Sequence, residues 1–389
     1  MNSQSSTTVD EQRQSGPTRV VVAMSGGVDS SVSAALLMEQ GYDVVGVTMR
    51  LYDDEREGDG GRGCCGFGGA RDAARVAAKL GFPHCTWDFR REFEASVIED
   101  FCSEYGRART PNPCLRCNEV LKFTELLGRA AQLGAELIAT GHYARISKMQ
   151  TANCKLQTAD MMGKQTAWQL LRGVDVTKDQ SYFLYAMTQE QLSRVLMPVG
   201  GHSKTEVREL ARKFDLPVAD KPESQDICFV PDNDYETFLR RRRPELFRPG
   251  PVLDMSGNVL GQHQGIAAFT VGQRKGLGLA FGERRYVIRL DPDKDTVVLG
   301  TEAEAQSNVV EAADARWVNG PVPDDPFRAH ASVRYQSKGG DALVEPSGED
   351  RVRVTFDEPQ WAPTPGQAVV FWHNDVVLGG ATIECTRAE

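Results

Sequence analysis

Two stretches hold thiols where a thiol can react. In the first, Thr110-Pro111-Asn112-Pro113-Cys114-Leu115-Arg116-Cys117-Asn118, two prolines precede a C-x-x-C pair. Such a pair by itself admits three chemistries: a redox disulfide, half of a metal site, or a nucleophile with a bystander. The prolines are expected to forbid helix, and a new helix over Glu119 to Leu133 would leave Cys117 near its N-terminus, where the dipole favours a thiolate. The second stretch, Ser224-Gln225-Asp226-Ile227-Cys228-Phe229-Val230, joins a polar loop to an apolar triplet that reads as a short strand, so Cys228 is expected to be partly exposed. Cys64-Cys65 lies in a charged, glycine-rich loop over residues 53–69 and is less informative.

A third stretch suits phosphate. Ser25-Gly26-Gly27-Val28-Asp29-Ser30-Ser31 follows the apolar run from Arg19 to Met24, and Val28 to Gln40 continues with apolar residues at helical spacing until Gly41. Strand, glycine turn and helix form an oxyanion-binding geometry, because the backbone comes close to the ligand and the first helical N–H groups point at it. The ordinary P-loop needs a Lys here, and this loop has none. The stretch resembles the S-G-G-x-D-S signature of the PP-loop ATP pyrophosphatases, a resemblance that implies cleavage of ATP between its α- and β-phosphates and adenylation of a substrate oxygen.

The elements that would position these groups alternate as strand and helix. Tyr42 to Met49, Phe82 to Asp88 and Glu136 to Thr140 read as strands, with helices over Gly69 to Leu80 and Arg90 to Tyr105 between them. That pattern predicts a doubly wound parallel sheet, which binds ligands at the carboxyl ends of its strands. Met49 ends one strand and suits either an adenine neighbour or the core. Gly141-His142 ends another, the glycine allowing close approach of a nucleotide and the imidazole offering substrate contact or proton transfer. Lys178-Asp179-Gln180 is expected to open a helix, and Ser203 to Asp215 reads as a helix with a charged exterior. Beyond Pro231 a basic helix to Arg243 gives way to β-like runs, among them Gly265 to Gly272, Arg285 to Leu290, Thr296 to Leu299, Ala329 to Tyr335, Arg351 to Phe356, Ala368 to Trp372 and Val376 to Ile383. Runs at this spacing predict a small barrel or sandwich.

At 389 residues the chain is long enough for two or three domains. No apolar run approaches the length of a membrane span, and residues 1–17 are polar, so a disordered leader and a cytoplasmic protein are expected, with a monomer as the default. Nine cysteines, an odd number, suit a reducing compartment. The net charge of −9 excludes general attraction to nucleic acid. Residues 235–289 nevertheless hold ten basic against four acidic residues, a candidate phosphate-backbone surface, although Arg240 to Arg243 fit a solvated helix face as well.

Taken together, the motifs resemble the tRNA-specific 2-thiouridylases, which replace the C2 oxygen of the wobble uridine with sulfur. The resemblance runs from about Val20 onward. It is carried by Ser25 to Ser31, Thr110 to Pro113 with Cys117-Asn118, Thr140 to Arg145, Lys178 to Tyr182, Ser224 to Phe229, Thr270 to Arg274, Val333-Arg334-Tyr335 and Pro365-Gly366-Gln367. It implies an α/β fold: a doubly wound PP-loop domain of the adenine nucleotide alpha hydrolase-like kind over 18–220, a small central domain over 221–283 and a C-terminal β-barrel over 284–389. By the same resemblance Ala23, Met24, Ser25, Gly26, Gly27, Val28, Asp29, Ser30, Met49 and Gly141 would hold Mg-ATP, and Asn112, Pro113 and Cys114 would surround the target base. Cys117 and Cys228 would carry the chemistry, with Cys228 loaded as a persulfide by a donor protein. His142, Lys178, Asp179, Gln180, Arg334, Tyr335 and Gln367 would touch the tRNA.

One departure stands out: well-known members carry Asp where this chain has Cys114. A thiol, with a reference pKa of about 8.5 against about 3.9 for Asp, is no simple acid/base substitute. Three thiols, Cys114, Cys117 and Cys228, would then share one site, and a rival reading makes them ligands of an iron–sulfur cluster or zinc. A different PP-loop ligase would have no use for two distant cysteines. A non-catalytic tRNA-binding protein would have none for the glycine loop.

Overall fold

A computed structural model describes residues 16–53, 67–149, 168–223, 227–230, 233–279, 281–318, 320–348 and 350–387. Residues 1–15 of the polar leader over 1–17 and Cys64-Cys65 fall outside these residues, as do Ser224, Gln225 and Asp226.

The first unit is built on β1 (Arg19–Ala23), β2 (Asp43–Arg50), β3 (His84–Asp88), β4 (Leu137–Ala139) and β7 (Val195–Leu196), hydrogen-bonded in the order β3-β2-β1-β4-β7. All four pairings are parallel. Val20, Val21 and Val22 of the central β1 are wholly buried, as β-branched residues covered on both faces should be. Helices α1 (Val28–Glu39) and α2 (Phe67–Leu80) follow β1 and β2. The strand order reverses direction at β1, so the glycine loop after β1 and Gly141 after β4 flank the topological switch point.

Two longer helical stretches cover the other side of the sheet. Residues 90–106 are helical with a π-helical segment at Glu94–Ile98, and residues 113–132 with one at Cys117–Glu125. Pro113 begins the second stretch instead of forbidding it: as the first helical residue its missing N–H costs nothing and its fixed φ suits the helix. Cys114 therefore lies in the first turn and Cys117 one turn further in, not at the N-terminus. Phe93 and Phe101 of the first stretch meet Phe229 edge-on at 5.5 and 5.2 Å between ring centroids. The Cys228 segment is a turn closed by Val230 N–H donating to Ile227 O at 3.0 Å, not a strand, because its aromatic side chain is drawn into this cluster.

The middle unit pairs β8 (Gly250–Asp254), β9 (Val259–His263), β10 (Tyr286–Asp291) and β11 (Thr296–Gly300) in the order β10-β11-β8-β9. The expected division at 283/284 falls inside the stretch that this sheet holds together. Gly265 to Gly272 is not a strand: a 3-10 turn at Ile266–Ala268 follows Gly265, whose φ is +147°. Lys178 likewise opens no α-helix, since the chain makes only a 3-10 turn at Ser181–Leu184.

The third unit is a closed six-stranded barrel of β12 (Gln306–Trp317), β13 (Phe327–Ser332), β14 (Gly340–Pro346), β15 (Val352–Trp361), β16 (Ala368–His373) and β17 (Val376–Arg387), closed by antiparallel pairing of β12 with β17. A hairpin from the first unit, β5 (Ala144–Lys148) with β6 (Trp168–Arg172), joins the same sheet through the pair Leu171 and Val376. Among the described residues no helix is long and apolar enough to cross a membrane.

Candidate functional site

The glycine loop is braced from within. Ser30 Oγ accepts from Ser25 N–H and donates to Gly27 O, both at 3.3 Å, and Ser31 Oγ donates to the same carbonyl at 2.8 Å. Gly26 has φ +71°, and a Cβ there would lie 2.1 Å from Gly69 O, so only glycine lets α2 approach. At Gly141 a Cβ would lie 2.7 Å from Ser30 N, which packs the end of β4 against the first turn of α1. No side chain caps α1, whose N-cap is Gly27. The start of α1 is thus a set of backbone donors without a side-chain acceptor, the arrangement that suits an oxyanion. Met24, Val28 and Met49 are buried, 2%, 4% and 7% exposed, and Ala23 is half-buried at the end of β1.

The positive charge absent from the loop arrives from elsewhere. Lys204, the first residue of the helix Lys204–Lys213, places Nζ 2.7 and 2.9 Å from the two carboxylate oxygens of Asp29 and 2.8 Å from Glu223. Tyr143 donates its hydroxyl to Asp29 at 2.8 Å, and burial followed by the Asp29 charge pushes that phenol well above its usual range. Glu223 also accepts from Lys178 Nζ at 2.7 Å. Burial opposes ionisation of Glu223, but the hydrogen bonds from Lys178 and Lys204 outweigh it and hold the carboxyl below its ordinary value. Lys221 reaches Gly26 O at 3.0 Å and Asp72 at 2.7 Å. Lys204, Lys221 and Glu223 were assigned no role from sequence, and Tyr143 stood only within the Thr140 to Arg145 motif, because each acts over a separation that local patterns do not encode.

Cys114 is exposed, Cys117 and Cys228 are half-buried, and the latter two pack against one apolar cluster with Leu115, Phe247 and Tyr335. The π-helical segment starts at Cys117, a geometry frequent at functional sites. Its neighbour Asn118 is buried and ties the helix to Phe183 O at 3.3 Å. Among the described residues no three His, Cys, Asp or Glu side chains are grouped to hold a metal ion.

The residues assigned by resemblance to RNA contact are half-buried except for the buried His142. Lys178 pairs with Glu223, and the Tyr335 ring lies 4.4 Å from that of Phe183. His142 is 8% exposed and shares a 2.8 Å hydrogen bond with Thr140 Oγ1, and burial, then the Lys122 charge, lowers its pKa well below the ordinary imidazole value. Asp179 accepts from Gly173 N–H and Ser181 N–H, both at 3.0 Å, and burial raises its carboxyl. Gln180 accepts from Tyr143 N–H at 3.0 Å. Arg334 donates to Ala362 O at 2.5 Å, and Gln367 donates to Thr110 O at 2.9 Å and Pro111 O at 3.2 Å. Gln367 is thereby joined to the segment carrying Asn112, Pro113 and Cys114.

Three of the basic side chains at the end of the helix Tyr235–Arg242 are ion-paired. Arg240 pairs with Glu236, Arg242 with Glu94 and Arg243, just beyond the helix, with Glu99. Arg242 and Arg243 thus pair across to the helical stretch 90–106, and the Arg240–Glu236 pair stays within one helix.

Family models match the chain in three consecutive pieces: a tRNA methyl transferase HUP domain over residues 18–232, a tRNA methyl transferase PRC-barrel domain over 236–301 and an aminomethyltransferase beta-barrel domain over 307–383. The tRNA-specific 2-thiouridylase MnmA of Carboxydothermus hydrogenoformans is 51% identical over 95% of this chain and 98% of its own. The MnmA of Pelotomaculum thermopropionicum is 48% identical over the same shares. Among solved structures, a 4-thiouridine synthetase–RNA complex with bound ATP aligns with a TM-score of 0.34 at 17% identity, covering 59% of this chain and 51% of that one. NMN synthetase from Francisella tularensis aligns with a TM-score of 0.32 at 16% identity, covering 54% and 67%. With three domain models in register and half of its residues shared with such relatives along almost its entire length, the chain belongs to the tRNA-specific 2-thiouridylases.

Proposed function

We propose that this chain catalyses ATP-dependent 2-thiolation of the wobble uridine of tRNA, as a cytoplasmic monomer supplied with sulfur by a persulfide-bearing protein. The observation that carries the reading is one chain holding both an uncapped glycine loop at the switch point of a parallel sheet and two thiols, Cys117 and Cys228, seated on one apolar cluster.

The C2 oxygen of uracil is a poor leaving group until it is adenylated. In the proposed sequence that oxygen attacks the α-phosphate of ATP and displaces pyrophosphate, which the N–H groups of α1 and the Lys204 ammonium receive. Asp29 is a hard oxygen donor at the loop, of the type Mg ions take, and would hold the Mg that accompanies ATP and neutralises phosphate charge. The terminal sulfur of a Cys228 persulfide then attacks C2, and AMP leaves. Cys117 as thiolate attacks Cys228 Sγ, forming a disulfide and leaving sulfur on C2, and an external dithiol reduces the pair. The base must leave its stack to reach these groups. No acid/base step is given to Cys114.

The test combines unmodified tRNA, Mg-ATP and a labelled persulfide donor with mass spectrometry of nucleosides. Gain of sulfur at the wobble uridine together with AMP and pyrophosphate is expected. Release of AMP without sulfur in the RNA would end the thiolation reading. Cys117→Ser and Cys228→Ser are each expected to abolish sulfur transfer and retain ATP binding, and thiolation persisting in either breaks the two-thiol scheme.

A further inference from the structure

The segment leading into the Cys117 helix has almost no means of holding its own place. Pro111 and Pro113 lack N–H groups, so the stretch cannot close a hydrogen-bonded turn through them. Its backbone is held instead by the C-terminal barrel. Thr110 N–H donates to Pro365 O at 2.8 Å, and Gln367 Nε2 donates to the two successive carbonyls of Thr110 and Pro111. Both hydrogens of that amide are then used, since an amide nitrogen carries two donors.

The barrel side of the contact is rigid. Gly366 N–H donates to Ile383 O at 2.9 Å and Ile383 N–H to Gln367 O at 2.8 Å, which fastens the Gln367 backbone to β17. Gly366 has φ +91°, and a Cβ there would lie 2.9 Å from Thr110 N and Thr110 O, so the two backbones touch. The middle unit closes the third side, with Thr110 Oγ1 donating to Thr270 Oγ1 and Thr364 Oγ1 to Val271 O, both at 3.4 Å. Three domains meet at Thr110, two residues before Asn112, whose carbonyl accepts from Leu115 N–H at 3.1 Å as the Cys114–Cys117 helix begins.

We propose that Gln367 is a positioning residue: its amide nitrogen is committed to Thr110 and Pro111, and through them it sets where Cys114 and Cys117 stand. The inference deepens the thiolation reading and rests on it for its kinetic arm.

The experiment compares wild type with Gln367→Ala and with Gln367→Glu, which keeps the size of the side chain but turns an acceptor toward two carbonyls. Equilibrium binding of tRNA, single-turnover sulfur transfer at saturating tRNA, and alkylation of Cys117 by iodoacetamide without RNA are measured, and thermal melting verifies folding. Expected are tRNA affinity within about twofold of wild type, a single-turnover rate lowered about tenfold or more with Glu worse than Ala, and altered Cys117 alkylation, the scale two lost hydrogen bonds imply. Weakened tRNA binding with an unchanged rate at saturation overturns the proposal and makes Gln367 an RNA contact. Unchanged rates and unchanged alkylation overturn it as well. If wild type transfers no sulfur the thiolation reading falls, while the RNA-free alkylation arm still decides the positioning of Cys117.

Discussion

Lys204 bears the charge that a phosphate site needs and that the glycine loop does not contain. It is 12% exposed and held by Asp29 and Glu223, so its ammonium is desolvated and oriented before any ligand arrives. Removing it leaves two carboxylates facing a polyanion. Lys204→Ala is expected to slow AMP formation by about tenfold or more, in line with ~1.5–3 kcal/mol for a charged hydrogen bond, with tRNA affinity unchanged. An unaltered rate in a pyrophosphate-release assay would remove Lys204 from the phosphate site. The imidazoles wholly or partly withdrawn from water make a separate prediction. His84, His142 and His263 all have pKa values lowered by burial. Below about pH 6.5 the unfolded chain binds protons that the folded chain refuses, so stability is full above that pH and falls as the pH drops through it. Urea titrations at pH 7.5 and 5.5 should show the loss, and His263→Gln should reduce it. The glycine loop was readable in the sequence because its spacing is local. Lys204 was not, since its position beside Asp29 exists only once helix Lys204–Lys213 has packed along α1.

The helix carrying Cys114 and Cys117 shows how an element can reverse a local rule. Proline excludes helix from the interior but favours its first position, and sequence alone does not say which side of Pro113 the helix lies on. Placing the start at Pro113 puts Cys114, not Cys117, in the first turn. The aromatic side chain after Cys228 likewise joined a phenylalanine cluster that could not be seen before helix 90–106 was in place. Glycine positions were more legible. Gly26→Ala must fit a side chain at φ +71° against the Gly69 carbonyl, and Gly141→Ala must push on the backbone of Ser30. Each is expected to destabilise the protein by ~1–3 kcal/mol, measured by denaturant melting, and to weaken ATP binding more than tRNA binding. A Gly141→Ala protein with wild-type ATP affinity would separate β4 from the nucleotide site.

At the scale of the molecule, the motifs shared with the family converge where the units meet. Thr110, Thr270, Thr364 and Gln367 come from three units and touch at one junction, which explains why residues so distant in sequence form one signature. The three-unit order was legible from the change in texture near Pro231, because turns and alternating runs mark a β-rich region locally. The limits of the middle sheet were not, since β11 pairs in parallel with β8 across more than forty residues. Part of the basic charge counted over 235–289 is neutralised from afar for a similar reason: Glu94 and Glu99, the partners of Arg242 and Arg243, belong to a helix of another unit. Arg240 pairs with Glu236 on its own helix, so Arg240→Ala is expected to change tRNA affinity less than about twofold in filter binding. The pairing of Leu171 with Val376 bears on how the polypeptide is made. The β5–β6 hairpin leaves the ribosome about two hundred residues ahead of its partner, a wait on the order of ten to forty seconds at ordinary synthesis rates. For that interval β6 offers a bare edge to any neighbouring nascent chain, and slowed elongation through the barrel would lengthen its exposure.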